Sequence, residues 1–320
     1  MNKIVVLDGY TLNPGDIKWN KLEALGELNV HRRTPSSDIV KRAKDANILI
    51  VNKVVLDKDT LKQLKHLKLI CVSATGYNNV DLETATELDI TVCNVAGYST
   101  ESVAQHVFSM LLYFTNQVAS HNKSVMDGNW EKSKDFTYSL KVIQELKDLT
   151  MGIYGLGRIG NKLADIALAF NMKVIAHHKH PERDKRKGVE FVSWEGLLRK
   201  SDVLSLHAPL TDANTGIINQ ENLSKMKPSA YLINTGRGGL INEIDLKEAL
   251  ENKIIAGAGI DVLSEEPPKN GNVLIGAKNC LITPHQAWTS KSARIRLLDG
   301  VIGNIRAYIA GKPTNVVNPS

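Results

Sequence analysis

The chain has 320 residues, 42% of them hydrophobic, and its 40 Lys and Arg against 34 Asp and Glu give a net charge of +6. That length suits two domains of ordinary size, and the composition excludes disordered, collagen-like and disulfide-stapled classes. The positive excess is spread over segments such as 58–68 and 179–187 and is not interleaved with aromatics, only 5% of residues, so it reads as solvated surface suited to small anions and not as a nucleic-acid footprint.

No basic–apolar–small leader precedes the first apolar run, and no run is long enough to span a bilayer, so a cytoplasmic protein that neither enters nor crosses a membrane is expected. Cys71, Cys93 and Cys280 lie in or beside strand-like runs without C-x-x-C spacing. They read as reduced thiols, and no metal site is expected.

Residues 1–98 repeat a strand–helix rhythm. Strands are expected at 4–7, 28–31, 48–51, 69–72 and 90–95, with amphipathic helices between them, for example at 37–44 and 59–67. Alternation of this kind predicts a parallel sheet with helices on both faces. The fourth strand ends in Ser73-Ala-Thr-Gly-Tyr77. Ligands of open α/β sheets bind beyond the carboxyl ends of strands, and the small residues Ala74, Thr75 and Gly76 would expose backbone N–H groups to a carboxylate; a plain strand-to-helix turn is the alternative.

Val103, Ala104, Val107, Phe108, Leu111 and Leu112 recur with helical period after good helix-start residues, predicting a long helix that links the two halves and carries a hinge. Residues 127–137 read as a polar loop anchored by Trp130 and Phe136.

The second half opens on an apolar strand, 151–154, followed by Gly155-Leu-Gly-Arg-Ile-Gly160 and a helix over 159–170. Gly155 permits the tight turn, Gly157 lets a pyrophosphate approach the backbone, and Gly160 lets helix and strand pack closely. The helix N-terminus offers unpaired N–H groups to phosphates, and a strand at 173–177 completes a βαβ unit. Further strands are expected at 203–207, 230–234, 255–262 and 280–283. Their ends carry His207-Ala-Pro209, Asn234-Thr-Gly-Arg-Gly-Gly239, Asp261 and Pro284-His285, which look like the rim of a dinucleotide cleft. An apolar-striped helix is expected over 291–311.

Three side chains at successive strand ends are candidates for chemistry, each with a plainer alternative: a surface arginine in a turn for Arg237, a solvated acidic loop for Glu266, which taken alone is the better reading, and a structural histidine for His285. Arg237 can clamp a carboxylate bidentately and polarise a carbonyl. Glu266 can hold an imidazole and favour its charged form. His285 suits proton transfer near neutral pH.

At this point the sequence resembles a known family. The motifs Asn94-Val-Ala-Gly-Tyr-Ser-Thr-Glu-Ser-Val-Ala-Gln-His106, Gly155-Leu-Gly-Arg-Ile-Gly160, Leu206-His-Ala-Pro-Leu210, Leu232-Ile-Asn-Thr-Gly-Arg-Gly-Gly239, Gly259-Ile-Asp-Val-Leu-Ser-Glu-Glu-Pro-Pro268 and Thr283-Pro-His285 are similar, in order and over nearly the whole chain, to those of the D-isomer-specific 2-hydroxyacid dehydrogenases. Gly128-Asn-Trp130, Ser133-Lys-Asp-Phe136 and Trp288 look more like the glycerate dehydrogenase (hydroxypyruvate reductase) branch.

The resemblance implies an α/β fold of two doubly wound parallel-sheet domains: a flavodoxin-like substrate domain from 1–98 with 289–320, and a Rossmann dinucleotide-binding domain from 99–288. It implies an oxidoreductase passing hydride from NAD(P)H to a small 2-keto acid, hydroxypyruvate or glyoxylate first, with Arg237, Glu266 and His285 as the catalytic set. Substrate contacts are implied at Ala74, Thr75, Gly76 and Trp288. Cofactor contacts are implied at Gly155, Gly157, Arg158, Ile159, Gly160, His178, Lys179, Ala208, Pro209, Thr235, Gly236, Arg237, Asp261 and His285, with Thr75 a further one. Closure of the domains would exclude water, and a homodimer through the nucleotide domain is implied.

One departure bears on the cofactor. NAD-preferring Rossmann units place Asp or Glu about 20 residues beyond the fingerprint, on the ribose hydroxyl. Here that position is His178, followed by Lys179 and Arg183. Missing repulsion and added positive charge predict that NADP(H) is accepted. Alternation sends His177 and His178 to opposite sides of the strand, against a metal cluster with His180. Within the enzyme class, 3-phosphoglycerate and D-lactate dehydrogenation compete; the end of the chain at Ser320 leaves no room for an appended regulatory domain. A dinucleotide-sensing binding protein of the same fold is the alternative from another class.

Overall fold

The computed structural model describes residues 2–318. In the first half, apolar strands bury alternate side chains on opposite faces, as a period of two requires. The strands are β1 (Lys3–Val6), β2 (Glu27–Val30), β3 (Ile48–Val51), β4 (Leu69–Val72) and β5 (Thr91–Cys93). Ile4, Val6, Ile48, Ile50, Leu69 and Cys71 enter one core, and Val5, Leu49, Val51, Ile70 and Val72 the other. The sheet is wholly parallel, in the order β2-β1-β3-β4-β5. The helix Lys291–Ile309 covers one face with Leu297, Leu298, Val301, Ile302 and Ile305, its start capped by the Ser290 side chain. Among the described residues the unit joins 2–99 with 288–318; of the segments expected in the substrate domain, residues 1 and 319–320 lie outside the described residues.

The second unit spans Thr100–Ala287. Its strands are β6 (Thr150–Tyr154), β7 (Lys173–His177), β8 (Val189–Phe191), β9 (Val203–Leu206), β10 (Tyr231–Asn234), β11 (Gly257–Ile260) and β12 (Cys280–Ile282). They form one parallel sheet in the order β12-β11-β10-β9-β6-β7-β8. Strand order reverses between β6 and β9, and the crevice at such a reversal is where doubly wound sheets bind ligands. Both units are therefore doubly wound parallel α/β structures.

Several elements differ from expectation. The helix expected over 59–67 is Lys58–Gln63. Leu64 leaves helical geometry so that both Leu64 and Leu67 enter the core. β8 and the helix Val118–Met126 carry no apolar period to betray them, being a three-residue edge strand and an exposed helix set off by left-handed Gln117. Phe136 does not anchor its loop. Its side chain is 89% exposed, and the carbonyl of Phe136 accepts from the Trp130 indole at 3.0 Å. Cys71 and Cys93 are buried and Cys280 partly so, all three as free thiols. Burial pushes Cys93 up to about 11 and Cys280 up to about 12, which keeps them protonated and unreactive. Among the described residues no helix is long and apolar enough to cross a membrane.

Candidate active site

The dinucleotide turn leaves β6 at Gly155, whose φ of +94° a side chain would strain. A Cβ there would lie 2.6 Å from the Ala208 nitrogen, so the turn packs directly on the backbone beyond β9. At Gly160 a Cβ would meet the Gly155 carbonyl oxygen at 2.4 Å, the close helix–strand approach that the spacing predicts. Gly157 differs: it precedes the helix Arg158–Ala169 without a side-chain cap, and a Cβ there would meet nothing within 4 Å. Arg158 and Ile159 occupy the first turn beyond that open end.

Beyond β10, the Asn234 side chain organises the Arg237 turn. It donates to the Arg237 carbonyl at 2.8 Å and accepts from the Gly236 N–H at 3.0 Å. Arg237 itself is exposed. Thr235 is buried, and its hydroxyl has no partner. Gly238 then lies against the chain beyond β11, where a Cβ would fall 2.0 Å from the Leu263 carbonyl carbon. This contact seats the Arg237 turn on the loop that carries Glu266.

Glu266 and His285 meet directly, the carboxylate Oε2 lying 2.6 Å from Nδ1 of the imidazole. The other oxygen of Glu266 accepts from the Leu263 N–H at 3.0 Å. His285 is in the left-handed region, φ +50°, where non-glycine residues are rare and cluster at functional sites. Its N–H donates to the Asp261 carbonyl at 2.8 Å. The buried Asp261 carboxylate accepts from the Thr283 hydroxyl and from the N–H groups of Gln286 and Ala287, at 2.6, 2.8 and 2.9 Å. His106 adds a ring nitrogen 3.0 Å from the Thr283 hydroxyl. The turn bearing His285 is thus tied down on both sides. A histidine held by a carboxylate can deliver or receive a proton at its remaining nitrogen.

In the first unit, the loop after β4 is held through its carbonyls. Asn52 donates to the Ser73 carbonyl at 2.5 Å, Val95 N–H to Ala74 at 3.1 Å, and Asn94 to Thr75 at 2.7 Å. Among the described residues the N–H groups of Ala74, Thr75 and Gly76 find no acceptor, so this loop can receive an anion. Trp288 belongs to this unit, its ring edge-on to Tyr98 with centroids 6.0 Å apart.

Residues 108–287 match the family described as D-isomer specific 2-hydroxyacid dehydrogenase, NAD binding domain. The chain is 43% identical over 321 residues to the hydroxypyruvate reductase of Blautia hydrogenotrophica, covering 99% of both chains. The chain belongs to the D-isomer-specific 2-hydroxyacid dehydrogenase family. The glycerate dehydrogenase of Methylorubrum extorquens is likewise 43% identical, over 98% of each chain. An acyclic imino acid reductase solved in complex with NADPH and D-arginine superposes with a TM-score of 0.85 at 33% identity, covering 98% of this chain and 99% of that one.

The dehydrogenase therefore works with a nicotinamide dinucleotide, acting on a CH–OH group, and its residues fit such a cofactor. The open Gly157 end of the helix suits a pyrophosphate, and the unpartnered Thr235 hydroxyl, buried beside the turn after β10, suits a polar ligand group. Among the described residues no three His, Cys, Asp or Glu side chains cluster as metal ligands.

Two features escape the sequence. The loop after β7 brings an acid back to the strand end that lacks one: Asp184 lies 2.7 Å from His178, and Arg183 is bound to that same carboxylate. Arg183 is therefore no unpaired cation. The local Arg183-Asp184 sequence was its only visible signal. The second feature is the Asp261 anchor: the family resemblance implies Asp261 as a cofactor contact, and nothing in the sequence marks it as an acceptor for its own turn.

His207, at the end of β9, gives a pH dependence. Its Nε2 lies 2.8 Å from the Ser205 hydroxyl, and burial pushes the ring down to about 4 from 6.5. As pH falls, the unfolded chain takes up this proton first. Stability is expected to be full above pH 6.5 and to decline between 6.5 and 4. Urea midpoints across that range should show a shallower decline for His207→Gln than for the native protein; parallel curves would contradict the assignment.

Proposed function

We propose that this dehydrogenase reduces hydroxypyruvate to D-glycerate and glyoxylate to glycolate, using NADH or NADPH. The observation that carries the reading is the Glu266–His285 pair at 2.6 Å on an immobilised turn beside a dinucleotide fold. The two relatives matched over nearly their whole length, named for hydroxypyruvate and glycerate, support the choice of substrate.

The reduced nicotinamide supplies the hydride when bound. His285 donates a proton from Nε2 to the developing alkoxide. Glu266 holds the ring and stabilises it while charged. Arg237 clamps the substrate carboxylate and polarises the carbonyl beside it. The N–H groups of 74–76 receive the carboxylate, and Trp288 limits the substituent to a small group. Gly155, Gly157, Arg158, Ile159, Gly160, Ala208, Pro209, Thr235 and Gly236 hold the dinucleotide, with the first unit as substrate domain and the second as nucleotide domain. With His178 and Lys179 at the end of β7 in place of an acid, NADPH is accepted.

A homodimer through the nucleotide domain is proposed as well, because Val118, Met126, Phe136 and Val142 expose 66–89% of their surface within one stretch of that unit. Light scattering should return twice the protomer mass. The cytoplasm is the proposed location. The configuration of the product tests the reaction: hydroxypyruvate should yield D-glycerate, and L-glycerate would overturn the proposal.

A further inference from the structure

The adenosine end of a Rossmann site is read by the residue closing its second strand, where an acid selects the ribose hydroxyl over a 2′-phosphate. In this chain that residue is His178, and its ring is committed on both sides. Nδ1 accepts from the Leu156 N–H at 3.2 Å, inside the glycine turn itself. The ring proton is therefore on Nε2, and it is donated to the Asp184 carboxylate at 2.7 Å. Asp184 is held from its other side by Arg183, through Nε at 2.8 Å and Nη2 at 2.6 Å. Arg183 first and His178 second keep the carboxyl far below the usual carboxylate range, so it is charged under all working conditions.

The segment carrying Asp184 is fixed to the fold. Arg186 donates to the carbonyl and side chain of Asn161 at 2.9 and 2.8 Å and pairs with Asp165, both on the helix that begins at Arg158. The Asp184 N–H donates to the His180 carbonyl at 3.1 Å. Lys185 is occupied by Glu182 at 2.7 Å. An acid and an arginine of opposite effect are thus locked together where the cofactor's 2′ position is read.

We propose that Asp184, presented by His178, is the specificity-determining residue for the cofactor: it replaces the missing strand-end carboxylate toward the ribose hydroxyl and restrains Arg183 from serving a 2′-phosphate. This rests on the dinucleotide site proposed above. The native enzyme accepts both cofactors because the pair balances, and removing either partner moves the preference in opposite directions. Asp184→Asn removes the negative charge and releases the guanidinium toward NADPH. Arg183→Ala leaves the carboxylate unneutralised and favours NADH. Asp184→Glu keeps the charge.

Calorimetric dissociation constants for NADH and NADPH, measured without keto acid on the full-length protein, test this. Asp184→Asn is expected to shift the ratio toward NADPH by about tenfold, the change that loss of one charge-assisted contact brings. Arg183→Ala should shift it the other way, and Asp184→Glu should stay near the native ratio. Equal weakening of both cofactors in Asp184→Asn would overturn the proposal, because it would make Asp184 a support for its loop alone. An unchanged ratio in both variants, with native affinities kept, would overturn it too. Failure of the native protein to bind either dinucleotide would overturn the site as well as the inference.

Discussion

Replacing His285 with alanine is expected to lower kcat by about 10²–10⁴, the range a positioned general acid contributes. KM should change little, because the proton transfer is realised in the transition state and not in the ground-state complex. The size of the effect follows from how firmly the ring is held. Glu266 fixes Nδ1 at 2.6 Å, and the backbone of His285, left-handed at φ +50°, is pinned to Asp261. Asp261 in turn gathers Thr283, Gln286 and Ala287 around its buried carboxylate. Glu266→Gln should fall between the native enzyme and His285→Ala, since an amide still meets the ring but no longer offsets its charge. A His285→Ala protein active to within a few-fold of native would remove His285 from the chemistry.

Gly238→Ala should be the most damaging small substitution in the nucleotide domain. The added carbon would lie 2.0 and 2.1 Å from the Leu263 carbonyl and 2.4 Å from the Ser264 nitrogen, all backbone atoms that cannot rotate away. The Arg237 turn and the chain at Leu263 must therefore separate. Leu263 is also the residue whose N–H holds Glu266, so the displacement reaches His285. A misplacement on the order of 1 Å costs about 10² in rate, and overpacking costs about 1–3 kcal/mol of stability. Gly239→Ala is the control, because the nearest atoms to its new carbon are all in the flexible side chain of Leu210, the first at 2.9 Å. Steady-state kinetics and urea midpoints of the two variants make the comparison. Equal and mild effects would contradict the proposed seating of the two loops.

What the sequence made legible was whatever repeats or is confined to one turn. β1, β3 and β4 are buried on both faces, so they appear as continuous apolar runs with the observed limits shifted by a residue at most. The glycine fingerprint reads directly because each of its three positions has a separate steric reason, and two of these are visible as backbone contacts at Gly155 and Gly160. Arg237 and His285 stand out as polar residues just beyond apolar strands, whereas Glu266 lies further along the loop after β11 and reads, taken alone, as part of a solvated acidic loop; only the family resemblance singles it out. Contacts between loops distant in sequence were not legible. The Gly238–Leu263 approach spans 25 residues, and the meeting of His178 with Asp184 depends on the path of an irregular loop that Arg186 ties to a helix. Exposed elements such as Val118–Met126 were missed for another reason: they bury no stripe within the chain, and a stripe is what periodicity detects.

The proposed reaction passes hydride to a small 2-keto acid. It is tested most directly by following the reduced-nicotinamide absorbance of the purified protein with NADH or NADPH against hydroxypyruvate, glyoxylate, pyruvate and phenylpyruvate. Rapid oxidation is expected with hydroxypyruvate and glyoxylate, with either cofactor, and slow oxidation with the bulky phenylpyruvate. Measurable dinucleotide binding without turnover of any keto acid would contradict it and leave a protein that senses the cofactor without using it.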